Sequence, residues 1–71
     1  MTITQDELEN RFTYHAPKEG QPEKYEKIRL MALGLAVALV DNCPDSRELN
    51  LALTHLDSAV MFANAAIARR S

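Results

Sequence analysis

Between Asn10 and Arg29 the chain gathers three of its four aromatic side chains, Phe12, Tyr14 and Tyr25, and five of its eight cations, Arg11, Lys18, Lys24, Lys27 and Arg29. His15 lies in the same stretch. Aromatic faces stack nucleobases, and cationic side chains neutralise phosphates, so these residue types supply the parts of a nucleotide site. Each part also has a structural reading. Tyr25 opens an apolar stripe at helical spacing and reads as core. Glu23 and Lys27, four apart, can pair on a wet helix face, and Arg11 can tie its segment back to Glu7 in the same way. Residue types alone leave both readings open.

The rest of the chain offers little chemistry. His55 and Asp57 are two apart, which puts them on different faces of a helix. Ser46 and Ser58 have no base at helical spacing. Gly20 and Gly34 are the only glycines, too few for a phosphate-binding loop. One cysteine, Cys43, and two distant histidines make neither a disulfide nor a zinc ligand set. Cys43 reads as a partly buried small hydrophobe. No catalysis, no metal and no cofactor are expected. The formal charge of −2 argues against duplex nucleic acid, which needs a basic face. The polar, acidic start of the chain predicts no secretory leader. The longest run without a polar side chain, Leu30 to Val40, covers about half of the ~20 residues a membrane helix needs, so no membrane partner is expected. A lone cysteine suits a reducing cytoplasm.

Positioning such a site falls to helices. The spacing predicts an all-α hairpin domain over residues 1–71, with a short N-terminal helix and loop in 1–21, a long helix over 22–42 and a C-terminal helix over 45–69. Thr4 with Glu7 has the form of a capping box, and Asp45 with Glu48 repeats it. Pro22 fits a first helical turn and Pro44 a stop. The short link between the long helices forces them side by side and antiparallel. Tyr25, Ile28, Ala32, Leu35 and Leu39 form one seam; Leu30, Leu33, Val37 and Val40 form another. In the last helix Leu49, Leu53, Leu56, Val60, Ala63 and Ile67 share a stripe, with Leu51, Phe62 and Ala66 away from it. A helix that is apolar all round is normally buried all round, and a hairpin covers only one face of each member. A chain of 71 residues rarely holds a sufficient core by itself. Self-association into a compact oligomer is therefore expected.

Three strings carry a family resemblance: Glu9-Asn10-Arg11-Phe12-Thr13-Tyr14-His15-Ala16-Pro17, Gln21-Pro22-Glu23-Lys24-Tyr25-Glu26-Lys27-Ile28-Arg29, and Ala59-Val60-Met61-Phe62-Ala63-Asn64-Ala65-Ala66-Ile67-Ala68-Arg69. They resemble the short hairpin-domain proteins of tailed phages that act as sponges for immune signalling nucleotides, the anti-CBASS sponges and the anti-Thoeris sponges that share the domain. The resemblance implies a protein that is not an enzyme. It would bind cyclic dinucleotides, cyclic trinucleotides or cyclic ADP-ribose isomers and withhold them, uncleaved, from the host effector. It also implies a hexamer with dinucleotide pockets between pairs of subunits, in some members separate trinucleotide pockets near a threefold axis, and action in the cytoplasm of the infected bacterial host. By motif, Tyr14 would stack on a base and either Lys27 or Arg29 would meet a phosphate, with Arg11 and His15 flanking. The other reading, from a different class, is a helical-hairpin protein–protein interaction module with no nucleotide ligand.

Overall fold

The structure, a computed structural model, describes residues 3–71. The first two residues of the expected N-terminal segment lie outside the described residues. Three helices follow in order: α1 (Gln5–Phe12), α2 (Gln21–Asn42) and α3 (Arg47–Arg70). No strand occurs among the described residues. α2 and α3 pack against each other across the short link at 43–46 and form the hairpin.

Each helix start has an identifiable cause. The Thr4 hydroxyl accepts from the Glu7 N–H at 3.1 Å, so Thr4 caps α1. The reciprocal half of the expected capping box is not made, because the Glu7 carboxylate is engaged by arginines. At α3 the cap is Ser46 rather than Asp45: the Ser46 hydroxyl accepts from the Leu49 N–H at 3.2 Å and donates to the Pro44 carbonyl at 2.9 Å. Glu48 is thus one position too early for a capping box and serves only the positive end of the helix dipole. α2 ends at Asn42, where the Cys43 N–H bonds to the Leu39 carbonyl at 2.9 Å. Cys43 itself is exposed, not partly buried, because it sits on the rim of the link instead of on a packed face.

Entry into α2 turns on Gly20 and Gln21. Gly20 adopts φ 83° and ψ −14°, the left-handed region that suits the third position of a type II turn. The Gln21 N–H closes that turn on the Lys18 carbonyl at 3.1 Å. Gln21 is the most buried polar side chain described, only 4 % exposed. Its Oε1 accepts from the Lys18 N–H at 2.9 Å and its Nε2 donates to the Ile67 carbonyl at 3.1 Å, stapling the loop to the end of α3. Gln21→Leu would strand the Lys18 N–H, and a buried donor left unpaired costs about 1–3 kcal/mol. The urea midpoint of the variant should fall accordingly with an unchanged slope; an unchanged midpoint would mean that the staple carries no stability.

The seam of α2 against α3 consists of Tyr25, Ile28, Ala32, Ala36 and Leu39, all partly buried. Leu35, placed in that seam by its spacing, is 51 % exposed. Strict alternation of three and four drifts off a straight helix, and the position after Ala32 that faces α3 is Ala36. The expected stripe of α3 does face inward, with Leu49 the one buried apolar side chain described, and Leu51, Phe62 and Ala66 are exposed. The second stripe of α2 is uncovered: Leu30, Leu33, Val37 and Val40 all stand in the open, as do Met31 and Met61. A Cβ placed on Gly34 would meet nothing within 4 Å, so that position of α2 is open as well.

The chain alone hardly has a core. Its accessible surface is 5760 Å², against about 4,450 Å² for a compact monomer of its mass. Its Cα radius of gyration is 15.5 Å, against roughly 11 Å for 71 residues. The molecule is a plate of 45 × 32 × 15 Å. Over its most apolar 18 residues α3 has a mean hydropathy of 1.3, long and apolar enough by composition to cross a membrane. Its apolar stripe is turned onto α2, while Asn50, Thr54, His55 and Asp57 lie on the exposed side.

Candidate functional site

α1, the loop after it and the ends of α2 and α3 converge at one end of the plate. An ion network holds α1 there. Arg70 of α3 grips Glu7 with two nitrogens, at 2.6 and 3.1 Å, and Arg11 reaches the same carboxylate at 3.1 Å. Arg69 donates to the Arg11 carbonyl at 3.4 Å, and His15 Nε2 donates to the Asn10 carbonyl at 2.6 Å. Lys18 Nζ reaches the Ser71 carbonyl at 2.6 Å.

The hydrogen bond from Arg70, then that from Arg11, holds the Glu7 carboxyl at about 2, well below its ordinary 4.5. The same pairing raises Arg70. A depressed carboxyl stabilises the folded form above its unfolded value, and that contribution disappears as pH falls toward the folded value. Docking of α1 should therefore weaken between pH 4.5 and about 2. The pair is exposed, so salt should weaken it too. Amide exchange across α1, followed against pH, should show this loosening in the parent and not in Glu7→Gln; identical profiles would detach the network from α1 docking.

Behind this network lies a cleft of about 610 Å³, inside the roughly 300–1,000 Å³ of small-molecule sites. Arg11, Thr13 and His15 form one wall, Tyr25 and Arg29 from the first turns of α2 another, and Asn64 and Arg69 of α3 a third, with Ala65 and Ala68 between them. Arg11 is neutralised by Glu7, and Arg29 by Glu26 at 2.6 Å. Arg69 has no carboxylate partner among the described residues. Three guanidiniums, a phenol ring and an imidazole around one cavity can hold a planar group beside an anion.

Of the five candidate residues, Arg11, His15 and Arg29 come together here. Tyr14 does not: its ring is 86 % exposed and lies outside the cleft. Lys27 does not either; it lines a separate surface hollow with Pro22, Glu26, Leu30 and Met31. Two residues along a helix is about 200°, so Lys27 and Arg29 must leave α2 on opposite sides. Lys27 and Glu23 form no ion pair among the described residues. Sequence reasoning did not single out Asn64 and Arg69; Tyr25, for which it left a core and a site reading open, is partly buried in the seam and also lines the cleft. Arg69 lies in the last turn of α3, where a cation suits the negative end of the helix dipole, and nothing in the spacing shows that this end meets the start of α2.

Comparison with curated proteins and with solved structures gives no match. A family model described as "Acb2/Tad1, hairpin domain" matches residues 4–68, which takes in all three helices up to Ala68 and nearly the whole cleft. The chain belongs to the Acb2/Tad1 hairpin-domain family, the anti-CBASS and anti-Thoeris sponges.

Proposed function

We propose that this protein sequesters cyclic oligonucleotide immune signals, cyclic dinucleotides first among them, and releases them chemically unchanged. The family is one of sponges, which bind signals rather than cleave them. The observation that carries the reading to this chain is the cleft: Arg11, Arg29 and Arg69 crowd one cavity beside Tyr25 in a protein whose overall charge is −2. Arg11 and Arg29 are each paired with a carboxylate and Arg69, among the described residues, is not. The cleft thus offers one unpaired guanidinium and two that a phosphate can draw off their partners, a local site for a compact anion in place of a long polyanion such as duplex DNA. In this proposal Arg29 meets a phosphate, and Arg11 and His15 hold the loop that shapes the wall.

The working form would be a homo-oligomer, a hexamer by family resemblance. The uncovered stripe of α2 supports self-association. An isologous interface presents every residue twice about a twofold, the symmetry of a cyclic dinucleotide. It also gives the exposed Tyr14 a place to act, against a ligand held partly by a second copy. The site of action would be the cytoplasm of the infected bacterial host.

Calorimetric titration of the purified protein with cyclic dinucleotides, cyclic trinucleotides and cyclic ADP-ribose isomers tests the proposal. At least one should bind at a fixed ratio to chains, with affinity that falls as salt rises. Absence of heat and of retention across the whole panel would leave the interaction-module reading in its place.

A further inference from the structure

One buried side chain ties the three walls of the cleft together without lining it. Gln21 is only 4 % exposed and stands where the loop, the start of α2 and the end of α3 meet. Its Oε1 accepts from the Lys18 N–H at 2.9 Å, one residue beyond Pro17 of the loop wall. Its Nε2 donates to the Ile67 carbonyl at 3.1 Å, one residue before Ala68 of the α3 wall. Its own backbone leads directly into Pro22 of the α2 wall. The two partners fix which way the amide faces, since the reverse would set N–H against N–H and oxygen against oxygen. The other tethers of the loop wall are weaker. α1 buries no side chain, the clasp of Glu7 with Arg70 is open to solvent and salt, and the Arg69 bond to the Arg11 carbonyl is long at 3.4 Å.

We infer that Gln21 is the positioning residue of the cleft. It does not touch the ligand; it sets how far Arg11 and His15 on the loop wall stand from Arg29 on α2 and Arg69 on α3. A ligand whose phosphates and bases have fixed separations needs those groups at matching separations. Affinity therefore falls with the share of chains whose walls hold that arrangement. Glutamine suits this place because it carries an acceptor for one wall and a donor for the other. Leucine fills the space and makes neither bond. An ionised glutamate still accepts from Lys18 but sets a second acceptor against the Ile67 carbonyl, and protonation restores the missing donor. This inference rests on the sponge reading and adds to it the residue that sets the shape of the site.

The test measures the affinity of the whole protein for cyclic di-AMP, cyclic di-GMP and cyclic GMP–AMP by calorimetry, well below the melting temperature of each variant, so that every chain is folded. Gln21→Leu should bind whichever probe the parent holds about tenfold more weakly or worse, the loss expected when the walls keep the binding arrangement about a tenth of the time. Leu49→Val thins the core at the opposite end of the hairpin; it should lower the melting temperature and leave affinity within about twofold. Gln21→Glu should match Gln21→Leu at about pH 8 and approach the parent at about pH 5, because burial and the facing carbonyl both raise a carboxyl above its ordinary ~4.3. That window stays above the range in which Glu7 releases Arg70. The other charged or titratable groups on the segments packed there are Lys18, turned to the Ser71 carbonyl, and Glu19 on the loop, Lys24 and Tyr25 on α2, and Arg69 and Arg70 on α3. The parent carries them too, with His15, so the ratio of variant to parent at one pH isolates position 21.

Parental affinity in Gln21→Leu overturns the inference. So does a loss in Leu49→Val that keeps step with its melting temperature, since affinity would then follow stability alone. A ratio for Gln21→Glu that does not change with pH overturns it as well, as does a smaller assembly by light scattering in that variant at about pH 8. Should Gln21→Leu not fold, the pH ratio of Gln21→Glu decides. Should the parent bind none of the three probes, the reading of the cleft as a cyclic dinucleotide site itself fails, and this inference with it.

Discussion

Leu33→Asp is expected to break the assembly apart and to leave the released chains largely unfolded. Leu33 is 61 % exposed in the single chain and stands in the middle of the stripe Leu30, Leu33, Val37 and Val40. Were the chain to function alone, a polar residue there would change stability by no more than about 0.5 kcal/mol. Covered by another copy, each leucine contributes about 1.5–3 kcal/mol, and the carboxylate adds the cost of an unpaired buried charge. A closed assembly repeats that penalty at every subunit. The single chain has little to fall back on, since Leu49 is the one buried apolar side chain described. Light scattering at micromolar concentration should show the parent well above 8.0 kDa and the variant at or near it, with loss of helical signal. A folded monomer in the parent, or an assembly of unchanged size in the variant, would remove the case for self-association.

Tyr14→Ala should separate binding from folding. The ring is 86 % exposed, so its removal should leave the melting temperature and helical content within the small range of surface substitutions. Binding should suffer heavily. Stacking is worth about 1–3 kcal/mol per base. If a twofold pocket uses the same tyrosine twice, one substitution removes roughly 2–6 kcal/mol of about 12 kcal/mol at nanomolar affinity. Tyr14→Phe keeps the ring and should be much milder. Arg29→Ala should weaken binding and flatten its salt dependence, because Arg29 lines the cleft, whereas Lys27→Ala should do neither. Calorimetry on these variants distinguishes the cases. Parental affinity in Tyr14→Ala would confine the ligand to the cleft of one chain, and a loss in Lys27→Ala in place of Arg29→Ala would move the phosphate to the other side of α2.

Helices were legible in the sequence because periodicity, prolines and caps are local. Gly20 and Pro22 mark the start of α2 and Pro44 follows its end, and the inward stripe of α3 was readable position by position. The errors are local competitions too. Asp45 and Ser46 are both good caps, and the hydroxyl that also reaches the Pro44 carbonyl prevailed. Leu35 and Ala36 point about 100° apart, one on each side of the seam, and spacing alone does not choose between them. Thr4 with Glu7 has the form of a capping box, but a bidentate arginine is a stronger partner for the carboxylate than one backbone N–H. The cleft was only half visible. Arg11, His15 and Arg29 stood out by composition, because they cluster in one stretch. Asn64 and Arg69 lie in the third segment of a three-walled site, and a hairpin brings them to α2 only through the register of its packing. Asn64 lies in the third resemblance string, but neither its type nor its spacing singles it out: an asparagine on a helix is ordinary.

The most direct measurement is retention and release. The purified protein is mixed with a known amount of cyclic dinucleotide, freed of unbound ligand by filtration, heated to unfold it, and the released small molecule is quantified and identified by mass. The ligand should be retained at a fixed ratio to chains and recovered intact, and after release it should again activate the effector it had been withheld from. Recovery of a linear or smaller product would make the protein an enzyme, and passage of the ligand through the filter would mean that it is not a sponge.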